Sequence, residues 1–284
     1  MEINFNKTSI IGVGLIGASL GLAIRKKGLC EKIYGFGRNE RNLLRAKEKG
    51  IIDSYSLDLK EVCEDSDLIV LSTPVGVFLE MVKNISPFLK KGSIIIDVGS
   101  VKGRLVYEIE SLMPEGVFYI GTHPIAGSDK SGIDDARAEL FEGARCIITP
   151  TDRTDRNSLE RISQLWKNIG CHVELMDPYR HDEIYGAVSH LPHIIAYSLV
   201  NTIGEINDEF IKYSGQGFKD ATRIALSSPE LWRDIVVYNR ENLLRFLEVF
   251  RAEIEKIDEY LKNNKAEAIR ENFQKARQLR ERIR

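Results

Sequence analysis

The stretch that decides the fold of this chain is SIIGVGLIGASLG, residues 9–21. A short apolar run leads into it, and apolar residues with helical spacing follow it. Strand, glycine-rich turn and helix in this order are typical of a dinucleotide-binding unit. In such a unit Gly12 permits the tight turn, Gly14 lets the backbone approach a pyrophosphate, and Gly17 lets the helix pack closely on the sheet. The backbone N–H groups of the helix N-terminus then hold the anion.

Short apolar runs alternate with helical patterns through the first half of the chain. Near-continuous apolar strands separated by helices indicate a mostly parallel sheet that is covered on both faces. We therefore predict an α/β domain of the Rossmann type. The predicted strands are 8–13, 32–36, 68–71, 93–98, 117–121 and 146–149, and the predicted helices are 15–27, 39–49, 78–89 and 102–113.

The sequence changes character after Asp177, which is a suitable N-cap before Pro178 at a first helical position. From there on every pattern is helical, over 180–203, 207–213, 229–260 and 265–284. We therefore predict two domains, 1–177 and an all-α domain over 178–284. An apolar stripe at intervals of three and four residues indicates that the helical domain completes its core by dimerising. The stripe consists of Leu243, Leu244, Leu247, Phe250, Ile254 and Ile257.

Composition limits the class of partner. The 284 residues carry a net charge of −2, which argues against a general nucleic-acid binder and favours a small molecule. The longest uncharged run, 8–24, lacks a basic segment before it and is shorter than the roughly 20 apolar residues of a membrane span. Four scattered cysteines without a CxxC pair favour a reducing cytoplasm. We expect a cytoplasmic protein without a membrane segment.

The choice of nucleotide depends on the end of the second strand. An acidic residue about 20 positions after the glycine turn usually holds the ribose 2′-hydroxyl of NAD+. Here the strand ends in Gly37, Arg38 and Asn39, and Glu40 follows. Arg38 can pair with a 2′-phosphate, which favours NADP+ and leaves NAD+ open. The alternative is that Arg38 is an ordinary exposed loop residue.

Two polar residues follow later strands of the predicted sheet. Ser100 lies in DVGSVKG, 97–103, and His123 lies in HPIAGSDKSG, 123–132. Ligands of doubly wound sheets bind beyond the carboxyl ends of the strands, where both residues are expected. A histidine there can accept a proton from an alcohol, and a serine hydroxyl can fix its tautomer. Taken alone, His123 could equally be a loop residue that bonds to its own backbone.

The helical half contains a second cluster of polar residues. His190 and His193 lie in SHLPH, 189–193, and share a helix face, and Pro192 should distort that helix. Their spacing suits zinc, but the sequence offers no obvious third ligand, so we predict no metal. Further on, Arg223 can bind a carboxylate with two hydrogen bonds, or can form an ordinary helix salt bridge.

Together these motifs resemble the prephenate/arogenate dehydrogenase family of tyrosine biosynthesis. The matching segments are GVGLIG at 12–17, DVGSVKG at 97–103, HPIAGSDKSG at 123–132, SHLPH at 189–193 and GFKDATRIA at 217–225. They occur in the family's order, and the chain is most similar to a monofunctional bacterial prephenate dehydrogenase. The resemblance implies oxidative decarboxylation of prephenate to 4-hydroxyphenylpyruvate, with hydride transfer to NAD(P)+.

The resemblance also implies residue roles and an intertwined homodimer. His123 is expected to act on the C4 hydroxyl, Ser100 to orient His123, and Arg223 to bind a substrate carboxylate. Substrate contacts are further expected from Ser189, His190, His193, Gly217, Lys219 and Asp220. Nucleotide contacts are expected from Gly12, Gly14, Leu15, Ile16, Gly17, Arg38, Ser72, Thr73 and Pro74.

Two other functions stay open. An arogenate dehydrogenase, or a cyclohexadienyl dehydrogenase that takes both substrates, would use the same residues. A protein that senses NAD(P) without catalysis is a more distant alternative. The presence of His123, Ser100 and Arg223 argues against the sensor, because binding a nucleotide requires neither a base nor a carboxylate-binding arginine.

Overall fold

The computed structural model describes residues 4–126 and 132–283. The chain forms two compact units, Met1–Asn239 and Arg240–Arg284. An eight-stranded sheet lies in the first unit. Its strands are β1 (Phe5–Ile11), β2 (Cys30–Phe36), β3 (Ser54–Ser56), β4 (Leu68–Leu71), β5 (Ile94–Asp97), β6 (Phe118–Ile125), β7 (Arg145–Thr149) and β8 (His172–Leu175).

The sheet is mostly parallel, as the sequence predicts. Its order is β3-β2-β1-β4-β5-β6-β7-β8, and every neighbouring pair is parallel except β6 and β7. The chain crosses from β3 to the far side of β1 to begin β4, so the strand order reverses there. Doubly wound sheets bind ligands at this point.

The antiparallel pairing with β7 lets β6 run to Ile125, four residues beyond the predicted end at 121. His123 therefore lies within the strand, opposite Ile147, rather than in a loop after it.

Two apolar cores cover the sheet, one on each face. Alternate residues of the central strand β1 point to opposite sides, so Ile10 belongs to one core and Ile11 to the other. Both isoleucines are fully buried. Burial on both faces explains why the strands read as continuous apolar runs rather than as alternating ones.

Among the described residues, six α-helices connect or flank the strands. Four of them agree with the predicted helical patterns. The helices Leu59–Cys63 and Arg156–Asn168 and the short strands β3 and β8 are not among the predicted elements, although Leu159, Ile162, Leu165 and Trp166 have helical spacing. Asn39 caps the second of the six helices by accepting the N–H of Asn42. The helices are α1 (Leu15–Lys26), α2 (Glu40–Glu48), α3 (Leu59–Cys63), α4 (Phe78–Ile85), α5 (Gly103–Glu110) and α6 (Arg156–Asn168).

The remainder of the described chain is helical, as the sequence predicts. Asp177 caps the first of these helices by accepting the N–H of Arg180 at 2.9 Å, and Pro178 is its first residue. A π-helical turn, Gly186–His190, joins that helix to the next. The helices are α7 (Pro178–Tyr185), α8 (Leu191–Asn207), α9 (Gln216–Thr222) and α10 (Pro229–Tyr238) in the first unit, and α11 (Arg240–Lys262) and α12 (Ala266–Arg280) in the second.

Two details of this half differ from the sequence prediction. The single helix predicted over 229–260 is interrupted at Asn239. The side chain of Asn239 forms hydrogen bonds with Asp182 and His190 inside the first unit. The distortion expected around Pro192 takes the form of the π-helical turn just before it, because a proline cannot donate the N–H that would continue the α-helical ladder. Among the described residues no helix is long and apolar enough to cross a membrane.

Candidate active site

The glycine turn after β1 has the geometry of a dinucleotide cradle. Gly12 has a φ of +98°, and a Cβ there would lie 2.7 Å from the carbonyl oxygen of Ser72. Gly17 is packed against the Gly12 carbonyl and the Ser72 side chain, so a Cβ would clash there too. Gly14, at the N-terminus of α1, has no atom within 4 Å of where its Cβ would be. The open backbone at Gly14 leaves room for a phosphate.

A cleft of about 490 Å³ opens at this turn. Ser72 closes one wall by donating its hydroxyl to the Gly12 carbonyl at 2.6 Å. Glu230, Arg233 and Asp234, all on α10, contribute to the lining. The other lining residues are Gly12, Val13, Gly14, Phe36, Gly37, Arg38, Asn39, Asn42, Leu43, Ser72, Thr73, Pro74, Val77 and Met81. Of the predicted nucleotide residues, Leu15, Ile16 and Gly17 lie on α1 behind this lining.

The far end of the cleft contains the residues that bear on nucleotide choice. Gly37, Arg38 and Asn39 line it. Arg38 is exposed and has no ion-pair partner within residues 4–126 and 132–283. The nearby Glu40 is also exposed and accepts the hydroxyl of Tyr55 at 3.5 Å. A free arginine therefore stands where an acidic residue would hold a ribose hydroxyl.

His123 lies at the start of a buried hydrogen-bonded chain. Its Nδ1 is 2.8 Å from Nε2 of His181, and His181 Nδ1 is 2.8 Å from Asp182 Oδ1. The same oxygen of Asp182 accepts the backbone N–H of Lys102 at 2.7 Å. The ring of Tyr185 lies against both imidazoles, with centroid distances of 5.1 and 4.6 Å. The described residues provide no hydrogen-bond partner for Nε2 of His123.

The loop DVGSVKG, 97–103, is fixed by a buried ion pair. Lys102 Nζ lies 2.5 Å from Asp97 Oδ2, and both side chains are inaccessible to solvent. The ammonium also donates to the carbonyl of Gly99 at 2.8 Å, and Asp97 Oδ1 accepts the hydroxyl of Tyr119 at 2.8 Å. Ser100 is half-buried at the tip of this loop. In the described part of the chain, His181 and not Ser100 is the partner of the His123 ring.

His190 lies in the π-helical turn and is buried between the loop and α10. Its Nδ1 is 3.0 Å from the amide nitrogen of Asn239, which also donates to the carbonyl of Asp182 at 2.8 Å. Its Nε2 is buried, and the backbone of Ser100 lies close enough to act on the ring. Asn239 thus connects His190 to the chain of groups that begins at His123.

His193 lies one turn further along α8 and is stacked on Trp232 of α10, with the ring planes 19° apart. Its Nδ1 donates to the Ser189 carbonyl at 3.0 Å. Both rings line a second cavity of about 310 Å³, together with Tyr197 and Arg233. Arg223 is exposed and is close enough for its charge to act on His193. Arg233 lines both this cavity and the nucleotide cleft.

The three residues predicted on α9 are exposed. Gly217 has nothing within 4 Å of where a Cβ would be, and Asp220 accepts the amide of Gln216 at 2.7 Å. The contacts of the described residues do not join Lys219 or Asp220 to His123 or His193.

Part of the HPIAGSDKSG motif, 127–131, lies outside the described residues. Within the described ranges no group of three or more histidine, cysteine or acidic side chains could hold a metal ion.

Burial controls the charge of the histidines. It holds the pKa of His123 and of His181 well below 6.5, and the positive charge of Lys102 acts in the same direction. Burial also lowers the pKa of His190 to about 4. The carboxyl of Asp182 changes in the opposite sense, because burial raises its pKa to about 6. At neutral pH the site therefore contains neutral imidazoles and an ionised Asp182.

Comparison with known proteins agrees with this geometry. Residues 20–175 match the family model "Prephenate dehydrogenase, nucleotide-binding domain", and residues 177–275 match "Prephenate dehydrogenase, dimerization domain". The chain is 33% identical to a prephenate dehydrogenase of Bacillus subtilis over 96% of its own length and 74% of that protein. The chain belongs to the prephenate dehydrogenase family.

Two further relatives show how much of the chain the family likeness covers. A cyclohexadienyl dehydrogenase of Zymomonas mobilis is 31% identical over 97% of this chain and 95% of that protein. The crystal structure of an A. aeolicus prephenate dehydrogenase in complex with hydroxyphenyl propionate and NAD+ is 36% identical, with a TM-score of 0.93. That match covers 100% of both chains. The α/β domain followed by helices is therefore the family's architecture.

Four residues of this family member were missed by reading its sequence. His181, Trp232 and Asn239 contact the predicted site residues His123, His193 and His190, and Asp182 contacts His181. The available signal was a pair of adjacent polar residues, His181 and Asp182, four and five positions after the Asp177 cap. Trp232 and Asn239 gave no signal, because their contacts are made between elements far apart in sequence.

Proposed function

We propose that this chain oxidises prephenate to 4-hydroxyphenylpyruvate, with hydride transfer to NAD(P)+ and loss of carbon dioxide. The observation that carries the proposal is His123, which is held at Nδ1 by His181 and has no described partner at Nε2. A neutral imidazole with one free nitrogen can accept the proton of the C4 alcohol. Because its pKa is well below 6.5, His123 is in this neutral form at neutral pH.

The remaining chemistry needs placement more than further reactive groups. NAD(P)+, when bound, takes up the hydride from C4, and loss of the C1 carboxylate makes the ring aromatic. Ser100 is proposed to orient His123 toward the alcohol from the loop that the Asp97–Lys102 ion pair fixes. His123 then holds the alcohol proton on Nε2, while the fully buried His181 keeps its contact with Nδ1.

Prephenate carries two carboxylates, and a positively charged side chain near His193 can bind one of them. Arg223 is proposed to bind one carboxylate through two parallel hydrogen bonds. His193 is proposed to contact the substrate beside Trp232, and His190 to support it from the buried side. Supporting roles are also proposed for Ser189, Gly217, Lys219 and Asp220.

The nucleotide is proposed to bind in the cleft at the glycine turn. The open backbone at Gly14 and the close packing at Gly12 and Gly17 fit a diphosphate there. The proposed contacts are Gly12, Gly14, Leu15, Ile16, Gly17, Ser72, Thr73, Pro74 and Arg38.

Arg38 also carries the finer proposal that NADP+ is preferred, because its guanidinium has no competing partner among the described residues. The test compares kcat/KM for NAD+ and NADP+ in the wild type and in Arg38→Ala. The proposal requires NADP+ to be the better cofactor and requires the substitution to reduce use of NADP+ selectively. A wild type that prefers NAD+ would overturn it.

We also propose that the chain works as a homodimer through residues 178–284, with residues 1–177 as the nucleotide domain. Large apolar side chains of the helical part are exposed in the single chain, Tyr213 at 86% and Leu226 at 82%. On α11, Leu244 and Ile254 of the predicted stripe are exposed as well. Sedimentation at low protein concentration tests this, and a stable monomer would contradict it. The predicted cytoplasmic location stays a prediction.

The first experiment is a turnover assay with purified protein. Prephenate and L-arogenate are each combined with NAD+ and with NADP+, and formation of the reduced nucleotide is followed by absorbance. Turnover with prephenate is the expected result. Turnover with arogenate alone would retain the residue roles and change the substrate. No turnover in any pairing, from folded protein that still binds nucleotide, would favour the sensor instead.

A further inference from the structure

Beyond the proposed reaction, the structure contains a chain of groups that decides which nitrogen of His123 is free. The chain runs from His123 through His181 to Asp182, and its two links are both 2.8 Å long. We propose that His181 and Asp182 are positioning residues, which fix His123 as the tautomer with hydrogen on Nδ1 and so keep Nε2 as the proton acceptor. The inference deepens the proposed function and rests on it for the role of Nε2.

The direction of the chain follows from its far end. Asp182 Oδ1 accepts the backbone N–H of Lys102, which can only donate. Above its pKa of about 6 the carboxyl of Asp182 is ionised and has no proton to give, so His181 Nδ1 must donate to it. A neutral His181 then has a bare Nε2, and this nitrogen accepts the Nδ1–H of His123. His123 is left with its lone pair on Nε2.

The opposite arrangement is unfavourable at each step. If His181 donated from Nε2 as a neutral ring, its bare Nδ1 would face the carboxylate of Asp182, and two acceptors would meet at 2.8 Å. If His181 donated from both nitrogens, it would be a buried cation. The charged and titratable groups that face His181 are Lys102, His190, His123, Asp182 and Tyr185. Burial, Lys102 and His190 oppose that cation.

The arrangement is built into three separate elements. His123 is held in β6 by pairing with β7, His181 and Asp182 lie on α7, and the Lys102 N–H belongs to the loop before α5. His181 is fully buried and Asp182 is 5% exposed, so water cannot replace either partner readily. This three-sided support is what a positioned base requires, because an unsupported imidazole exchanges its tautomers freely.

The direct test is the tautomer itself, read from the imidazole ¹⁵N shifts of the five histidines in the nucleotide-bound protein. The wild type is expected to show hydrogen on Nδ1 of His123. Asp182→Asn keeps an oxygen acceptor for both donors and is expected to retain this tautomer. His181→Leu removes the acceptor and is expected to lose it. A wild type with hydrogen on Nε2 of His123 would overturn the inference.

Kinetics supply a second readout on the same variants. His181→Leu is expected to lower kcat by roughly 10²–10⁴-fold with little change in KM, as for a base held in the wrong tautomer. His181→Gln places an amide oxygen near the former Nε2 and is expected to recover about tenfold of that loss. Glu183→Gln, a neighbouring charge removal on α7, is the matched control and should behave like the wild type. Full activity in His181→Leu would contradict the inference.

The two readouts also separate this inference from the proposed function. If the wild type shows the Nδ1–H tautomer but turns over neither prephenate nor arogenate, the proposed function fails and the positioning of His123 holds. If the wild type is active but its His123 carries hydrogen on Nε2, the function holds and the positioning role fails.

Discussion

Among single residues, His123 depends most on its surroundings. On a flexible loop its ring would titrate near 6.5 and exchange tautomers, but β6 holds it and His181 engages one nitrogen. Burial lowers its pKa, and His181, Lys102 and His190 act in the same direction. The residue is therefore a neutral base whose direction is set by its neighbours.

Substitution of this base should separate catalysis from binding. His123→Asn is expected to lower kcat by roughly 10²–10⁴-fold, because general-base catalysis contributes about that much, while KM for prephenate changes little. Steady-state kinetics at saturating nucleotide give both quantities. The exposed His172→Asn is the matched control. An unchanged kcat in His123→Asn would remove His123 from the mechanism.

The same residue predicts a pH profile. Since the folded-state pKa of His123 is well below 6.5, the base is already unprotonated at pH 6.5. We expect kcat/KM to stay level as the pH falls from neutrality to 6.5 and to decline only in more acidic solution, where His123 gains a proton. The profile is measured with a fixed-ionic-strength buffer series, and a decline that begins above pH 7 would contradict the assignment.

At the level of elements, the loop between β5 and α5 stands out because it contains a buried ion pair. Lys102 is 1% exposed and satisfies Asp97 together with two carbonyls of its own loop. The backbone of the same residue reaches Asp182. The loop thereby fixes both Ser100 and the far end of the chain of groups behind His123.

Removal of one partner of this ion pair should be costly. Lys102→Met leaves Asp97 as a buried, unpaired charge and is expected to reduce the free energy of unfolding by about 3–5 kcal/mol. The double variant Asp97→Asn, Lys102→Met removes both charges and is expected to lose less. Urea unfolding of the three proteins measures the difference, and a double variant less stable than Lys102→Met would show that the ion pair is not the cause.

The N-terminal part of α10 connects the two cavities. Arg233 lines both of them, and its Nε and Nη2 are held by Asp234 at 2.8 and 2.7 Å. Its remaining N–H groups are available to an anion in the cleft.

Substitution of Arg233 should therefore weaken nucleotide binding. We expect Arg233→Met to raise KM for the nucleotide by about tenfold, because roughly one charge-assisted hydrogen bond is lost. Arg104→Met on the exposed face of α5 is the control, and an unchanged KM for the nucleotide would contradict this role.

The elements also show where sequence reasoning succeeds and where it ends. The glycine turn, the apolar strands and the Asp177 cap depend on local rules, and the structure has all three. The length of β6 could not be predicted, because it depends on an antiparallel partner 20 or more residues away. The roles of His181 and Asn239 depend in the same way on contacts between distant segments, which leave no periodic signal in the sequence.

For the whole molecule, the buried histidines predict its response to acid. His190 has a folded-state pKa of about 4 against 6.5 when exposed, so the unfolded chain binds its proton more tightly. Stability is therefore lost as the pH falls from 6.5 toward 4, by about 3 kcal/mol from this residue. His123 and His181 act in the same direction, while Asp182, whose pKa is raised to about 6, offsets part of the loss.

Thermal unfolding over this pH range provides the measurement. The wild type is expected to melt at progressively lower temperature between pH 6.5 and pH 4, and His190→Gln is expected to show a shallower dependence because it has no proton to gain. His172→Gln, at an exposed position, is the matched control. A wild type whose melting temperature is constant over this interval would contradict the burial of neutral histidines.

The π-helical turn at Gly186–His190 has a geometric consequence for the whole site. Each α-helical residue rotates the chain by about 100°, so the twelve steps from His181 to His193 would place their side chains about 120° apart on a regular helix. The turn accommodates one extra residue, which reduces the difference to about 20°. Deletion of a single residue there would preserve a helix and still swing His193 to another side, so the angular alignment of the two histidines is set by one inserted residue.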